Sequence, residues 1–489
     1  MNTVSDKAIK FLNKKPQLFI NNEWVDSKRG ETFPTINPSN GKTLMQISVA
    51  GKDDVDAAVL AAREAFKKRV RDMNPSKRAA MIFKLAELIE RDLDILSQLE
   101  CLDNGKPLNR AVADVKAAVY HLKYYAGWAD KIEGSVIPVH SPNVMVQTRR
   151  EPLGVVGLIV PWNFPLVMAI WKLSPALACG NCCILKPAEQ TSVTALYLGQ
   201  LILEAGFPPG MVQILTGDGE TGSLLTHHND IDKVGFTGST EVGKKVLEAS
   251  AKSNLKKVSL ELGGKSPNII FDDADIKRVE ESLVWASFYN SGQECTLGSR
   301  IYIQNKKLDQ VLNGLVKKTK ALTIDEGFRN PDLGPLVSDE QLTRVKGYIH
   351  HGKKETELIL GGNKIEGKLS AGYFIEPTIF RTDNHDAKII KDEIFGPVVT
   401  VSSFEDEEEL IGYTNDTRYG LASAIWTQDI SRAYRVAREI EAGVVWINGY
   451  DMFHPAVPFG GYKESGIGRE MGKSALDLYT QEKSIWTNL

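Results

Sequence analysis

The chain has 489 residues, far more than the roughly 150 at which one domain is the default, so two or three packed domains are expected. An apolar fraction of 42% and a charged fraction of 25% match an ordinary globular protein and exclude a disordered one. A formal net charge of -3, from 59 basic and 62 acidic residues dispersed along the sequence, gives no field to recruit nucleic acid or an anionic membrane, so small-molecule partners are expected.

The N-terminal run Met1-Asn2-Thr3-Val4-Ser5-Asp6 is polar and lacks the apolar core of a secretory signal. Five cysteines, odd in number and too few to staple a chain of this size, favour a reducing compartment, and a cytoplasmic location is expected. Residues 52–132 carry helical periodicity: Val55, Val59, Ala62 and Phe66, then Met81, Leu85, Leu88 and Ile89, then Val115, Val119 and Leu122. The apolar stretch 153–170 is about membrane length, but Pro161, Asn163 and Pro165 near its centre would leave backbone groups unpaired in lipid. It reads as buried core.

From about residue 154 short apolar runs alternate with helical segments, at 155–160, 182–185, 212–215, 234–236 and 257–260, which predicts a parallel α/β sheet. A second series at 268–271, 299–303, 398–404, 422–426 and 443–448 predicts a second α/β domain. Residues 478–487 contain the β-favouring Tyr479, Thr480, Ile485 and Trp486, lie beyond the last glycine-rich segment, and are expected to pair with another subunit.

Three motifs fall between these elements. Cys179-Gly180-Asn181-Cys182 has the spacing of a redox or zinc half-site, but no second pair accompanies it and the eight histidines are scattered, so buried small residues are the expectation and no metal is predicted. Gly217-Asp218-Gly219-Glu220-Thr221-Gly222 matches the dinucleotide fingerprint, which a tight strand-to-helix turn also satisfies; it is expected near a nucleotide rather than under its phosphates. In Gly238-Ser239-Thr240-Glu241-Val242-Gly243-Lys244-Lys245 the place of the magnesium-binding hydroxyl is taken by Lys245, so nucleotide hydrolysis is not expected. Its free N–H groups and helix dipole suit either a pyrophosphate held without metal or an ordinary capped helix.

Cys295 stands in the polar, glycine-containing run Asn290-Ser291-Gly292-Gln293-Glu294-Cys295-Thr296, a context in which a thiolate can form and be reached, although a lone cysteine is more often inert. The run from Phe288 to Cys295 and the run Leu260-Glu261-Leu262-Gly263-Gly264-Lys265-Ser266-Pro267 resemble the two active-site signatures of the aldehyde dehydrogenase superfamily. Further matches follow in that family's order at Pro161-Trp162-Asn163-Phe164-Pro165, Lys186-Pro187-Ala188-Glu189, Phe236-Thr237-Gly238-Ser239-Thr240, Glu393-Ile394-Phe395-Gly396-Pro397 and Pro458-Phe459-Gly460-Gly461-Tyr462-Lys463, so the resemblance runs from about residue 18 to the end.

The resemblance implies an α/β fold of the aldehyde dehydrogenase type. A Rossmann-type NAD-binding domain would occupy residues 1–133 and 153–263, an α/β catalytic domain 264–464, and a small β oligomerisation element 134–152 and 465–489. It implies Cys295 as nucleophile, the Asn163 carboxamide with the Cys295 N–H as oxyanion donors, and Glu261 as the base that hydrolyses a thioester, the hydrolytic rather than the CoA-acylating route. It places Lys186 and Glu189 on the adenosine ribose, Gly238 and Ser239 at the pyrophosphate, and Glu393 and Phe395 at the nicotinamide ribose. A carboxylate at Glu189 repels a 2′-phosphate, so NAD is favoured over NADP, with Lys186 softening the preference.

Phe164, Met168, Trp171, Tyr289, Phe453 and Phe459 fall at positions that line the aldehyde tunnel in relatives and imply a hydrophobic aldehyde. Relatives that oxidise trimethylammonium aldehydes carry more tryptophan there, yet these aromatic faces with Glu294 or Asp451 also suit an amino-aldehyde, the alternative reading. Glu294 departs from the commoner small or apolar residue before the nucleophile, and exposure to solvent is the plain expectation for it. A homodimer or homotetramer is implied. A non-redox cysteine acyl hydrolase and a silent structural protein on the same fold are the competing classes, and the presence of both Cys295 and Glu261 disfavours the second.

Overall fold

The computed structural model describes residues 4–489, so Met1, Asn2 and Thr3 of the polar N-terminal run lie outside the described residues. The predicted helical region forms four helices, Lys52–Ala65, Pro75–Arg91, Leu93–Asn104 and Leu108–Ala126, each with its periodic apolar residues buried. Their ends are set locally. Asn74 accepts the Ser76 N–H ahead of Pro75, which needs no donor partner at the first helical position. Gly105 stops the third helix with φ at 91°, and any side chain there would meet Pro38 and Pro335 at 2.7 Å.

The first sheet has five adjacent parallel strands in the spatial order Val212–Ile214, Cys182–Lys186, Val155–Ile159, Lys233–Thr237, Lys257–Glu261. Helices cover both faces, which is why most of these strands read as unbroken apolar runs rather than alternating ones. In chain order the sequence of strands is third, second, first, fourth, fifth, so the connections turn in opposite directions on either side of Val155–Ile159. A crevice therefore opens outside the carboxyl ends of the strands at that switch point. Leu18–Ile20 and Gly466–Ile467 extend the sheet antiparallel at its two sides.

The second sheet runs Glu357–Leu360, Thr378–Arg381, Val398–Phe404, Arg300–Gln304, Pro267–Ile270, Ala422–Trp426, Val444–Ile447, parallel except for the first pair. Its five interior and far-edge strands coincide with the predicted series; the first two do not appear in it. Glu357–Leu360 follows the helix Asp339–Glu355 after a single residue and is only half-buried, so its short apolar run merges with the helical pattern.

The C-terminal strand corrects one expectation. Thr480–Asn488 pairs antiparallel with Val144–Pro152 of its own chain over its full length, with Val136–Ile137 as a third strand, rather than requiring another subunit for pairing. Of the block 465–489, only this strand joins the small sheet. Gly466–Ile467 belongs to the first sheet, and Ala475, Leu476 and Tyr479 are buried in the first core because their apolar side chains seat against helix Pro165–Ala178 and its neighbours. Among the described residues no helix is long and apolar enough to cross a membrane.

The fingerprint Gly217–Gly222 is a capped helix start. The Asp218 carboxylate accepts the N–H groups of Glu220 at 2.9 Å and Thr221 at 3.4 Å, so the donors that would face a phosphate already hold a side chain of the protein. Asp218→Ala should therefore destabilise the fold by about 1 kcal/mol, read as a lower urea midpoint at unchanged slope; an unaltered midpoint would mean the cap is not formed.

Candidate active site

A cavity of about 420 Å³ lies at the carboxyl ends of the first sheet's strands and reaches the second sheet. Strand Val155–Ile159 delivers Asn163, strand Lys233–Thr237 delivers Gly238 and Ser239, and strand Lys257–Glu261 ends on Glu261. Cys295, Glu393 and Phe395 enter from the opposite side, and the walls include Phe164, Met168, Trp171, Tyr289, Phe453 and Phe459. Every predicted site residue except Lys186 and Glu189 thus lines one space. Those two lie just outside it, where Lys186 ends strand Cys182–Lys186 and its Nζ meets Glu189 Oε2 at 3.3 Å.

The nucleophile's loop is strained in a specific way. Helix Ile276–Phe288 ends in a turn where Asn290, Ser291 and Gly292 take φ values of 48°, 56° and 72°, three successive left-handed residues. Each non-glycine residue held so costs about 1–3 kcal/mol and persists only where its surroundings over-determine it. Asn290 Nδ2 donates to the carbonyls of Asn163 at 3.1 Å and Gln293 at 3.2 Å, while Ser291 Oγ donates to Gly334 O at 2.8 Å. Gln293 Oε1 accepts the Val337 N–H at 2.9 Å. Gly292 is required because a Cβ would sit 2.1 Å from the Gly396 carbonyl, and Gly264 because one would sit 2.3 Å from the carbonyl of Cys295 itself.

Asn163 is fixed by the same contacts. Its carbonyl accepts the buried Lys106 ammonium at 3.0 Å, and Lys106 is held by Glu100 at 3.2 Å and Asp114 at 2.6 Å. Its Nδ2 donates one hydrogen to Gln293 O at 3.1 Å, leaving the second for the cavity beside Cys295. Lys106 and Asn290 were not singled out by the sequence reading. The signal available was a lysine between two acidic residues in an otherwise helical region.

Glu261 is buried, its Oε2 has no partner, and burial followed by the neighbouring Glu470 carboxylate pushes its pKa well above the carboxylate range. Beside it Glu470 is ion-paired with Lys172, both fully or almost fully buried. Neither was predicted, although Lys172 is the lone charge in the apolar helix Pro165–Ala178, and a single buried charge in such a helix marks a partner elsewhere. Cys295 is half-buried, and its thiol is held well above its usual pKa by burial and by the carboxylates of Glu294, Glu393, Glu261 and Asp451. The polar run left a thiolate possible; the folded surroundings disfavour it.

Glu294 corrects the expectation of solvent exposure. It is 5% exposed and lines the cavity, because the left-handed turn before it reverses the chain inward. Burial and then Asp451 raise its pKa well above the carboxylate range, and burial raises Asp451 to about 6.

The cavity's other end has donors and acceptors suited to a dinucleotide. Thr237 Oγ1 is buried without a partner, and Glu393 Oε1 accepts the Gly264 N–H at 3.0 Å. Helix Thr240–Lys252 points its N-terminus there; Gly238 N–H is already bonded to Glu261 O at 3.1 Å, so the following N–H groups of Ser239 and Thr240 are the ones left for an anion. Phe395 holds φ at 59°, its ring centroid 5.1 Å from that of Trp162 in an edge-on arrangement. Cys179, Cys182 and Cys183 lie away from all of this, buried in the first core.

A model of the aldehyde dehydrogenase family matches residues 24–485. An aldehyde dehydrogenase of Emericella nidulans is 48% identical over 99% of this chain and 97% of its own length. The NAD+ complex of aldehyde dehydrogenase from Bacillus cereus superposes with a TM-score of 0.97 at 47% identity, covering 100% of this chain and 99% of that one. Betaine aldehyde dehydrogenase from Staphylococcus aureus, in complex with NAD+, superposes at 0.96 with 38% identity, over 99% and 97%.

Glu470 gives this arrangement a measurable sign. Removing its charge in Glu470→Gln leaves the Lys172 ammonium unopposed beside Glu261, so Glu261 should ionise at a lower pH than in the wild type. The protonated-carboxyl infrared band, assigned by its loss in Glu261→Gln, follows that midpoint; a midpoint that stays put would show that Glu470 does not set it.

Proposed function

Because the chain belongs to the aldehyde dehydrogenase family, an enzyme family that oxidises aldehydes with NAD, we propose that Cys295, Asn163 and Glu261 carry that reaction here. The chain is an NAD-dependent oxidoreductase of this family. The observation that carries the assignment of roles is the meeting of the reachable Cys295, the Asn163 amide and the Glu261 carboxyl, whose Oε2 has no partner, in a single cavity.

The Cys295 thiol gives its proton to the Glu261 carboxylate as sulfur attacks the aldehyde carbon, forming a thiohemiacetal. The developing oxyanion is held by the free Asn163 Nδ2 hydrogen and the Cys295 N–H, each such donor contributing about 3–4 kcal/mol to the transition state. NAD, when bound, supplies the hydride acceptor, and loss of hydride from the thiohemiacetal leaves a thioester on Cys295. Glu261, after returning its proton to solvent, takes one from the water that cleaves the thioester and frees the acid. A raised pKa suits it to this work near neutral pH.

Lys186 and Glu189 are assigned to the adenosine ribose, Ser239 with Gly238 to the pyrophosphate, and Glu393 with Phe395 to the nicotinamide ribose. The aromatic and apolar walls formed by Phe164, Met168, Trp171, Tyr289, Phe453 and Phe459 favour an aldehyde with an apolar body. The exposed Val136, Trp486 and Leu489 on or beside the small sheet, at 75%, 66% and 78% exposure, support a homo-oligomer, dimer or tetramer, that covers them. Free, buried cysteines support a reducing compartment such as the cytoplasm.

In NADH formation with an aldehyde, Cys295→Ala should abolish turnover, whereas Glu261→Gln should give a slower first-turnover burst, the thiol losing its proton to solvent instead, and then stall as the thioester. Wild-type steady-state rates in either variant would overturn its role. Cofactor choice tests Glu189: kcat/KM should favour NAD over NADP by about tenfold or more, from repulsion between the carboxylate and a 2′-phosphate, and Glu189→Ala should narrow the gap. Parity of the two cofactors in the wild type would remove Glu189 from the ribose site.

A further inference from the structure

We propose that the Glu294 and Asp451 carboxyl groups form a specificity subsite for the ammonium group of a short-chain aldehyde that carries a primary amine. The inference rests on Cys295 being the nucleophile and adds the substrate's second functional group to that reading. Seven carboxyl side chains line the cavity and only one guanidinium, that of Arg344, which is engaged by the Glu393 carbonyl at 2.7 Å on the cofactor side. Among the described residues the basic groups nearest these carboxyls are already engaged or uncharged: Lys172 is paired with Glu470, Lys106, which also acts on Glu294, is held by Glu100 and Asp114, and burial lowers the pKa of His121 on the cavity wall to about 4.

Glu294 is the member that calls for an occupant. It precedes Cys295 in the chain, is 5% exposed, and its Oε2 has no hydrogen-bond partner. Asp451 is placed beside it by its own left-handed backbone, φ 57°, and by Thr296, whose Oγ1 donates to Asp451 Oδ1 at 3.3 Å. The two carboxyls act directly on one another, Asp451 raising the Glu294 pKa and Glu294 lowering that of Asp451, so Glu294 is the one that favours its proton and lone pairs are left over on both. Leaving a buried charged acceptor unsatisfied is expensive, and a group that brings both N–H donors and a positive charge removes the deficit.

The walls agree with this choice. Trp171, Phe453 and Phe459 form a mutual edge-contact cluster with ring centroids 5.5 to 6.1 Å apart, and aromatic faces attract a cation without donating to it. A trimethylammonium group would use only the rings, since it has no N–H. A primary ammonium uses rings and carboxyls together, so the carboxyl pair separates the two classes. Seating a cation there would also offset the carboxylates that hold the proton on Cys295, coupling substrate charge to the nucleophile.

The test compares NADH formation from β-aminopropionaldehyde, its isostere butyraldehyde, β-hydroxypropionaldehyde and the trimethylammonium analogue, in wild type, Glu294→Gln, Glu294→Asp and Asp451→Asn. In wild type kcat/KM should favour β-aminopropionaldehyde over butyraldehyde by about tenfold or more, the worth of one charge-assisted hydrogen bond. That ratio should fall by a similar factor in Glu294→Gln and Asp451→Asn, chiefly through KM, and be partly kept in Glu294→Asp. A wild-type ratio near one, a ratio unmoved by the substitutions, or a trimethylammonium substrate as good as the primary amine would each overturn the proposal. Should the variants fail to fold, competition in the wild type decides: propylammonium must inhibit butyraldehyde oxidation more strongly than propanol, and equal inhibition refutes the subsite. If the wild type forms no NADH from any of the four, the aldehyde-oxidation reading fails, which is a different result from a flat ratio.

Discussion

The buried Lys172 ammonium is paired with Glu470 and acts with it on the neighbouring buried Glu261 carboxyl, and the architecture around the cavity follows from having to keep these three charges together. Taking such charges out of water carries a penalty of several kcal/mol per ion, repaid only by good geometry. The three residues come from helix Pro165–Ala178, the end of strand Lys257–Glu261 and a segment whose Phe459 and Glu470 backbones pair with each other. A slip of any one by a residue strands a charge in an apolar core. The first sheet's register, the helix that follows its first strand and the return of the chain near residue 470 are therefore specified together.

The nucleophile is governed by a second constraint, which is steric rather than electrostatic. Left-handed conformations at Asn290, Ser291 and Gly292 turn the chain so that Cys295 faces the first sheet across the cavity. Asn290 serves both sides of that junction, since its carboxamide donates to the backbone of Asn163 and of Gln293. The oxyanion donor and the nucleophile are thus tied to one another before any substrate arrives, which is what electrostatic preorganisation requires.

Much of this was legible in the sequence. Strands that are buried on both faces announce themselves as apolar runs, so the five parallel strands of the first sheet were found within a residue or two. Cys295, Glu261 and Asn163 came from motif resemblance; composition and spacing alone left Cys295 ambiguous. What escaped notice depends on tertiary contacts. Lys172 and Glu470 lie 298 residues apart and acquire meaning only as a pair. Glu294 looked like a surface acid because nothing local says that the turn before it runs inward. The fingerprint at Gly217 carried the right glycines, but Asp218 between them caps its own helix. Strand Glu357–Leu360 was hidden by the helix just before it, and Thr480–Asn488 found its partner within the chain, at a sequence distance no period reveals.

The acidity of the cavity also bears on why a cysteine is used in such surroundings. Each carboxyl near Cys295 opposes formation of the thiolate, which with burial raises the thiol's pKa in the free enzyme. Activation comes as Glu261 takes the thiol's proton, and anything that brings positive charge or removes negative charge near Cys295 eases that transfer. Burial and Asp451 favour the protonated form of Glu294 already in the free enzyme, and an ammonium on the substrate would add positive charge to that. An apolar aldehyde receives only the first of these, and an amine-bearing one receives both. Discrimination therefore falls mainly on binding at the ammonium end, with the apolar walls holding the chain that links the two charged ends of the problem.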